Sequence, residues 1–361
     1  MAGYHDPEHA LSDVDLAARM MPLRGHLAWR PLIEIGKIGL WAAAIGAGIG
    51  ALRAPGDTLW LDTLSGMLTG AFIGLGAAAA ETYGLSNPRL RIARRMPPVL
   101  LMGLRAVFYG GLILAGLSLS GWIVGVAAIW ARPDFWEVFA ISAAVAIVLS
   151  TAVEITRLLG KEATIALVTG RYTYPRLEDR VILFADVIGS TPLAERVGDV
   201  RFHDFLCEVA QDLAEAVDRA RGDVHRYIGD AVIVTWPLQR GLANGACVRC
   251  AGEMHQALAD RAETYHAQFG TEARLRIAIH CGQVAAGEIG DWKKEIALLG
   301  DTMNTTARIE GAARDLDAKT VLSDALVQRL PAEVRSGLRK LPGYTAAGKQ
   351  QELVLWAADG V

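Results

Sequence analysis

Residues 181–191 read VILFADVIGST and residues 224–236 read VHRYIGDAVIVTW. The first stretch is apolar enough for a buried strand, yet it carries Asp186 near its end. In the second, Asp230 follows Gly229 between two apolar runs. A buried carboxylate is costly unless something positive meets it, so each aspartate asks for a partner. The two stretches read as a strand (181–187) and a strand pair (223–229 and 231–236) folded at Ile228-Gly229-Asp230.

Working outward from Arg180, the pattern continues as a helix (about 192–220), the strand pair, a helix (about 240–269) and a strand (274–286). A hairpin-like excursion (287–299), a helix (301–313) and a final strand ELVLWA (352–357) complete it. Two strand–helix–strand units with an inserted hairpin predict an α/β sandwich of the ferredoxin-like kind. If strands 181–187 and 223–229 are neighbours, Asp186 and Asp230 converge on one spot. Two carboxylates that close repel or share a proton, unless divalent cations sit between them. A pair of Mg²⁺ or Mn²⁺ ions clamping a triphosphate is a common reason to build such a site. The plainer alternative makes Asp186 a cap for the following helix and Asp230 a turn residue.

A third motif, LGDTMNTTARIEG (299–311), follows the two aspartate motifs, and with FADVIGST and RYIGDAV it makes residues 165–357 resemble the class III nucleotidyl cyclases. The resemblance implies a homodimer converting ATP to 3′,5′-cyclic AMP and pyrophosphate by a two-metal mechanism, with composite sites across the interface. It implies Asp186, the carbonyl of Val187 and Asp230 as ligands of two Mg²⁺ or Mn²⁺ ions. The backbone amides of Ser190 and Thr191 would meet the triphosphate. Asn304 and Arg308, spaced to lie on one helix face, would orient the ribose and stabilise charge on the α-phosphate. Arginine suits that task because its fixed, permanently charged fork matches phosphate oxygens.

Two positions depart from the family. Arg226 stands where adenylate cyclases usually have lysine, and Ala297 where they have aspartate or threonine, so the usual purine-reading pair is absent. Lys293, Lys294 and Glu295 lie nearby in the sequence, and Lys349 is the nearest candidate for the family's phosphate-binding lysine. The alternatives to an adenylate cyclase are a guanylate cyclase and a non-catalytic nucleotide-binding membrane sensor. A cyclic dinucleotide synthase lacks support because the chain has no Gly-Gly-acidic-acidic-Phe stretch.

The other half of the chain is different in kind. The 361 residues are 52% hydrophobic with a formal net charge of −3, and the apolar excess is concentrated between residues 31 and 158. Four stretches reach the roughly 20 residues that a bilayer requires: 31–52, 59–80, a run within 98–130, and 135–156. Arg89, Arg91, Arg94 and Arg95 lie between the second and third, which predicts a cytoplasmic loop there, with both termini and the catalytic half in the cytoplasm of a multi-pass (inner) membrane protein. The expected order is a cytoplasmic segment (1–30), a four-helix transmembrane domain (31–157), a coupling helix and linker (158–177) and the catalytic domain (178–361). The helix is expected to run unbroken from the fourth span into residues 157–169. Arg105 is expected to snorkel to the cytoplasmic face. Gly46-x-x-x-Gly50, Gly70-x-x-x-Gly74 and Gly121-x-x-x-Gly125 are expected to serve helix contacts, including those between chains. Membrane lipid, ATP and a second copy are the expected partners, with no nucleic acid. Cys207, Cys247, Cys250 and Cys281 do not form a disulfide framework, and buried thiols are expected at the Cys247/Cys250 pair rather than zinc.

Overall fold

The structure, a computed structural model, describes residues 29–53, 58–81, 83, 98–124, 135–345 and 352–358. The chain divides into two units, Met1–Thr151 and Ala152–Val361.

The first unit holds helices α1 (Trp29–Arg53), α2 (Leu59–Ala80), α3 (Pro98–Val124) and most of α4 (Phe135–Leu159). Ile35–Leu52, Leu59–Ala80 and Gly103–Ile123 are long and apolar enough to cross a membrane, whereas the apolar stretch of α4, Phe135–Val148, is shorter. The arginines at 89–95 and Gly125 lie outside the described residues. Glycine decides how α1 meets α2. A Cβ on Gly46 would stand 2.1 Å from the carbonyl oxygen of Gly66, one on Gly50 2.2 Å from that of Asp62, and one on Gly70 2.2 Å from that of Ala42. The spacing therefore serves close backbone packing within one chain, and the expectation that Gly46, Gly50 and Gly70 face a second chain is corrected. Thr69 donates to the Ser120 hydroxyl at 2.8 Å, tying α2 to α3. Arg105 is also corrected. Instead of snorkelling it is buried, with Nε 3.1 Å from Glu81, which also accepts from the Tyr109 hydroxyl at 2.6 Å.

In the second unit the expected continuous helix ends at Leu159 and restarts as α5 (Lys161–Thr169). Gly160 breaks it with a φ of +86°, a conformation that glycine takes without steric cost. The sheet then begins with β1 (Arg176–Val187). Helices α6 (Ser190–Val197) and α7 (Asp199–Arg219) follow, split at Gly198, and lead to β2 (Asp223–Ile228) and β3 (Ala231–Pro237). The expected helix over 240–269 is likewise several pieces, chiefly α8 (Ala246–Ala259) and α9 (Ala262–Phe269). Next come β4 (Leu275–Ile289), β5 (Glu295–Leu299), α10 (Asp301–Asp315) and β6 (Thr320–Ser323); Leu355–Ala357 pairs with β6. The core order is β2-β3-β1-β4, with both flanks of β1 antiparallel, and β6 joins parallel to β4 after the α10 crossover. This is the split strand–helix–strand arrangement that the pattern predicts.

Alternation along β1 separates two faces. Val181, Leu183, Ala185 and Val187 point into the main core, with Phe205, Val209 and Leu213 of α7 and Cys247, Cys250 and Met254 of α8. Ile182 and Phe184 point to the opposite face, where Ala166 of α5, Tyr172 and Ile309 of α10 lie. Burial pushes the Cys247 and Cys250 thiols up to about 12. Thiols so reluctant to ionise pack as small apolar side chains within the core.

Candidate active site

Asp186 occupies the last turn of the even-numbered row of β1, directly opposite Ala231 of β3 and Arg276 of β4. Strand β1 thus pairs with β3, not with the 223–228 strand that sequence reading placed beside it, and β2 lies one strand further out. The aspartates still meet. Ile228 and Ala231 pair across a two-residue turn, Gly229-Asp230, in which Gly229 has a φ of +60°. That tight turn sets Asp230 beside the strand end that carries Asp186, close enough for its charge to act on the Asp186 carboxyl.

Burial, then the charges of Asp230 and Glu310, push the Asp186 carboxyl up to about 6. Among the described residues one positive partner is present: Arg314 Nη2 lies 3.7 Å from Asp186 and 3.1 Å from Glu310. Arg314 is largely exposed, so this contact offsets little of the cost of three neighbouring carboxylates. Among the described residues, no group of three or more His, Cys, Asp or Glu side chains forms a full metal cage. Two carboxylates that repel one another, with hard oxygen donors, fit a divalent cation that keeps water and substrate phosphate in its shell.

Val187 closes β1, and the chain then turns through Gly189, at a φ of +75°, into α6. Ser190 and Thr191 are the first residues of that helix. Their amides are among those an α-helix leaves without intrahelical acceptors, and they suit an anion. Asn304 lies exposed on α10 and Arg308 one turn later is half-buried, with its Nη1 enclosed and without a hydrogen-bond partner. A buried guanidinium nitrogen lacking an acceptor is costly, and a phosphate oxygen would satisfy it. Arg226, on β2, is ion-paired with Glu295 at the start of β5. Ala297 stands opposite Gly287 in the β4–β5 hairpin, and Lys349 lies outside the described residues.

Three residues of this neighbourhood, Glu310, Arg314 and Arg276, escape sequence reasoning, and the partner of a fourth, Glu295, does too. Glu310 and Arg314 follow Arg308 on α10, and only the packing of that helix over β1 reveals that they reach Asp186. Arg276 is revealed by the β1–β4 register, and its Nε too is buried without a hydrogen-bond partner. Glu295 is tied to Arg226 by a long-range contact that spacing alone does not encode.

The Adenylate and Guanylate cyclase catalytic domain family matches residues 173–348. Adenylate cyclase 2 of Rhizobium meliloti (strain 1021) is 39% identical over 201 residues, 56% of this chain and 55% of that protein. An adenylate cyclase of Anabaena cylindrica is 28% identical over 182 residues, 48% of this chain and 36% of its own length. The chain thus spans little more than half of the one relative and about a third of the other. A solved bacterial light-regulated adenylyl cyclase shares the fold, with a TM-score of 0.53 at 16% identity over 63% of this chain and 67% of its own. Residues 173–348 belong to the class III adenylate and guanylate cyclase catalytic domains.

Proposed function

We propose that this protein is a membrane-anchored adenylate cyclase that converts ATP to 3′,5′-cyclic AMP and pyrophosphate as a homodimer. The observation that carries the reading is the meeting of Asp186 and Asp230 at one sheet end, with the Asp186 carboxyl pushed up by burial and by its neighbours. Structure alone gives no reason to keep two mutually repelling carboxylates there. Asp186, Asp230 and the Val187 carbonyl would hold two Mg²⁺ or Mn²⁺ ions, which supply positive charge to the triphosphate and make the ribose hydroxyl more acidic.

The amides of Ser190 and Thr191 hold the phosphates of the same site. From the second copy come Asn304, which orients the ribose, and Arg308, whose unpartnered nitrogen takes the α-phosphate oxygen on which charge accumulates. Lys349 would reach the phosphates. The 3′-oxygen bonds to the α-phosphorus and loses its proton, while the bond from that phosphorus to the bridging oxygen breaks and pyrophosphate departs. Exposed Tyr227, Ile228, Ile289, Trp292 and Leu299 along β2 and the β4–β5 hairpin supply apolar surface for the second copy. The apolar helices of the first unit form the anchor, with four spans and both termini in the cytoplasm. Residues 158–177 link it to the catalytic domain.

The test is full-length protein in lipid with ATP or GTP and Mn²⁺. Cyclic AMP and pyrophosphate should appear in equal amounts. ATP that binds without turnover would favour a sensor over an enzyme. A guanylate cyclase is the second reading, because Arg226 and Ala297 do not form the family's usual adenine-reading pair, and GTP turnover exceeding ATP turnover would establish it.

A further inference from the structure

The Arg226–Glu295 pair bears on how the purine is read, an inference that rests on the cyclase reading above. Strand β2 shifts register between Val224 and Arg226, leaving His225 as an extra residue. Such a bulge re-aims the side chain beside it, and Arg226 reaches across to the Glu295 carboxylate on β5. Glu295 and Ala297 alternate along β5, opposite Ile289 and Gly287 of β4, so they share one face of the hairpin. Ala297 offers only a methyl group where the family has a polar side chain. Glu295 brings a carboxylate onto the same face, about 7 Å along the strand. It is held there from two sides, by Arg226 and by Lys293 at 2.9 Å. Arg226 and Glu295 both remain well exposed, at 43% and 38%, so both can meet a nucleotide.

We infer that Glu295 supplies the carboxylate that reads the purine in place of residue 297, with Arg226 as the paired donor. A carboxylate has only acceptors and a guanidinium only donors. Adenine presents the complement, an amino donor at position 6 and an acceptor at N1. Guanine inverts both, with an acceptor oxygen at position 6 and an N–H at N1. In one fixed pose the pair therefore attracts adenine and repels guanine. No side chain at position 297 is needed.

The experiment compares wild type, Glu295→Gln and Glu295→Ala as full-length proteins in lipid. Turnover is measured with ATP, GTP and purine riboside triphosphate, which is ATP without its 6-amino group. Binding is measured with 3′-deoxy-ATP and 3′-deoxy-GTP, which have no hydroxyl to cyclise. Wild type should lose about tenfold in kcat/KM when the amino group is removed, the worth of one good hydrogen bond. Glu295→Ala should show a ratio near one for the same change, together with a loss of about tenfold in adenine-over-guanine binding preference. Glu295→Gln, which keeps an acceptor, should retain part of both. An unchanged ratio and preference in Glu295→Ala would overturn the inference. Should wild type form no cyclic nucleotide yet prefer 3′-deoxy-ATP through Glu295, the cyclase reading fails and the purine-reading role stands.

Discussion

Arg180 and Asp186 lie at the two ends of the stretch of β1 that pairs with β3, on the same face of the strand, and the fold treats them in opposite ways. Arg180 is 2% exposed and fully partnered. Its guanidinium donates to Glu162 of α5 at 2.6 and 2.9 Å, to Glu178 at 2.8 Å, to the Tyr172 hydroxyl at 2.8 Å and to Thr235 at 3.2 Å. Asp186 has one exposed cation at 3.7 Å and two further carboxylates beside it. The first end is a completed network, which low dielectric rewards when every member is satisfied. The second is a charge cluster left to be completed from outside the chain. Stability and chemistry are thus built from one row of side chains, separated by the apolar Ile182 and Phe184.

The sharpest way to break this contrast is to neutralise the incomplete end. Asp186→Asn or Asp230→Asn should lower cyclic nucleotide formation by at least about a thousandfold. The fold should not suffer. A carboxylate whose pKa is raised in the folded state weakens folding when it ionises, so the thermal midpoint of Asp186→Asn should equal or exceed that of wild type at pH 7.5. A large drop in that midpoint would make Asp186 a structural residue.

The completed end should behave in the reverse manner. Arg180→Met leaves Glu162 and Glu178 without their buried cation, and breaking one side of a buried pair costs about 3–5 kcal/mol. Adding Glu162→Gln to Arg180→Met should cost less than the two changes summed, because they act on one network. The same logic concerns truncation. A chain beginning near Arg176 lacks Glu162 and Tyr172 and should melt well below one beginning near Gly160. Equal melting of the two truncated proteins would show that α5 adds nothing to the sheet.

A subtler effect probes whether the cluster around Asp186 is completed by a second chain. Neither Asp186→Asn nor Arg308→Ala alone should be active, yet each chain keeps the half that the other has lost. Random pairing in an equal mixture makes about half of the dimers mixed, each with one intact site of two, so about a quarter of wild-type activity should return. A mixture that stays inactive would place Asp186 and Arg308 in the same site of one chain.

How much of this was legible in the sequence differs between the two ends. Asp186 and Asp230 stood out because carboxylates interrupt apolar runs, whereas Asn304 and Arg308 were picked out only by the resemblance of residues 299–311 to the family's third motif. The core topology followed from alternation and from the turn signal at Gly229. The neighbour of β1 was misread, because a hairpin leaves open which of its strands joins the sheet, and both candidates are apolar. The Arg180 network was invisible, since Glu162, Tyr172, Glu178 and Thr235 are ordinary polar residues until register and packing gather them. The break at Gly160 and the glycine contacts between α1 and α2 were misjudged for a related reason. A glycine in an apolar run signals close approach or a turn, and only the fold says which, and against what.

The smallest effect separates the two ends by pH. Burial alone would raise the Glu178 carboxyl, but hydrogen bonds and charge from Arg180 and Arg171 outweigh it and hold the group below its usual 4.5. A carboxylate with a lowered folded pKa contributes stability that is fully present above its unfolded value, and that contribution disappears as pH falls through the folded value. Melting of the full-length protein in lipid should therefore change little through Glu178 between pH 7 and about 5, and fall as pH drops below about 4.5. Glu178→Gln should start lower at pH 7, fall less steeply, and meet the wild-type curve at the acid end. Asp186 acts with the opposite sign, because its carboxyl is pushed up to about 6, so its burden on the fold sets in as pH rises past the unfolded value, about 4, and is complete above about 6. In Asp186→Asn that burden is absent, so the variant's advantage over wild type should grow from pH 5 to pH 7.5. Parallel curves for wild type and Glu178→Gln would mean that the carboxylate is not held by Arg180, and the contrast between the two ends of that stretch of β1 would lose its electrostatic basis.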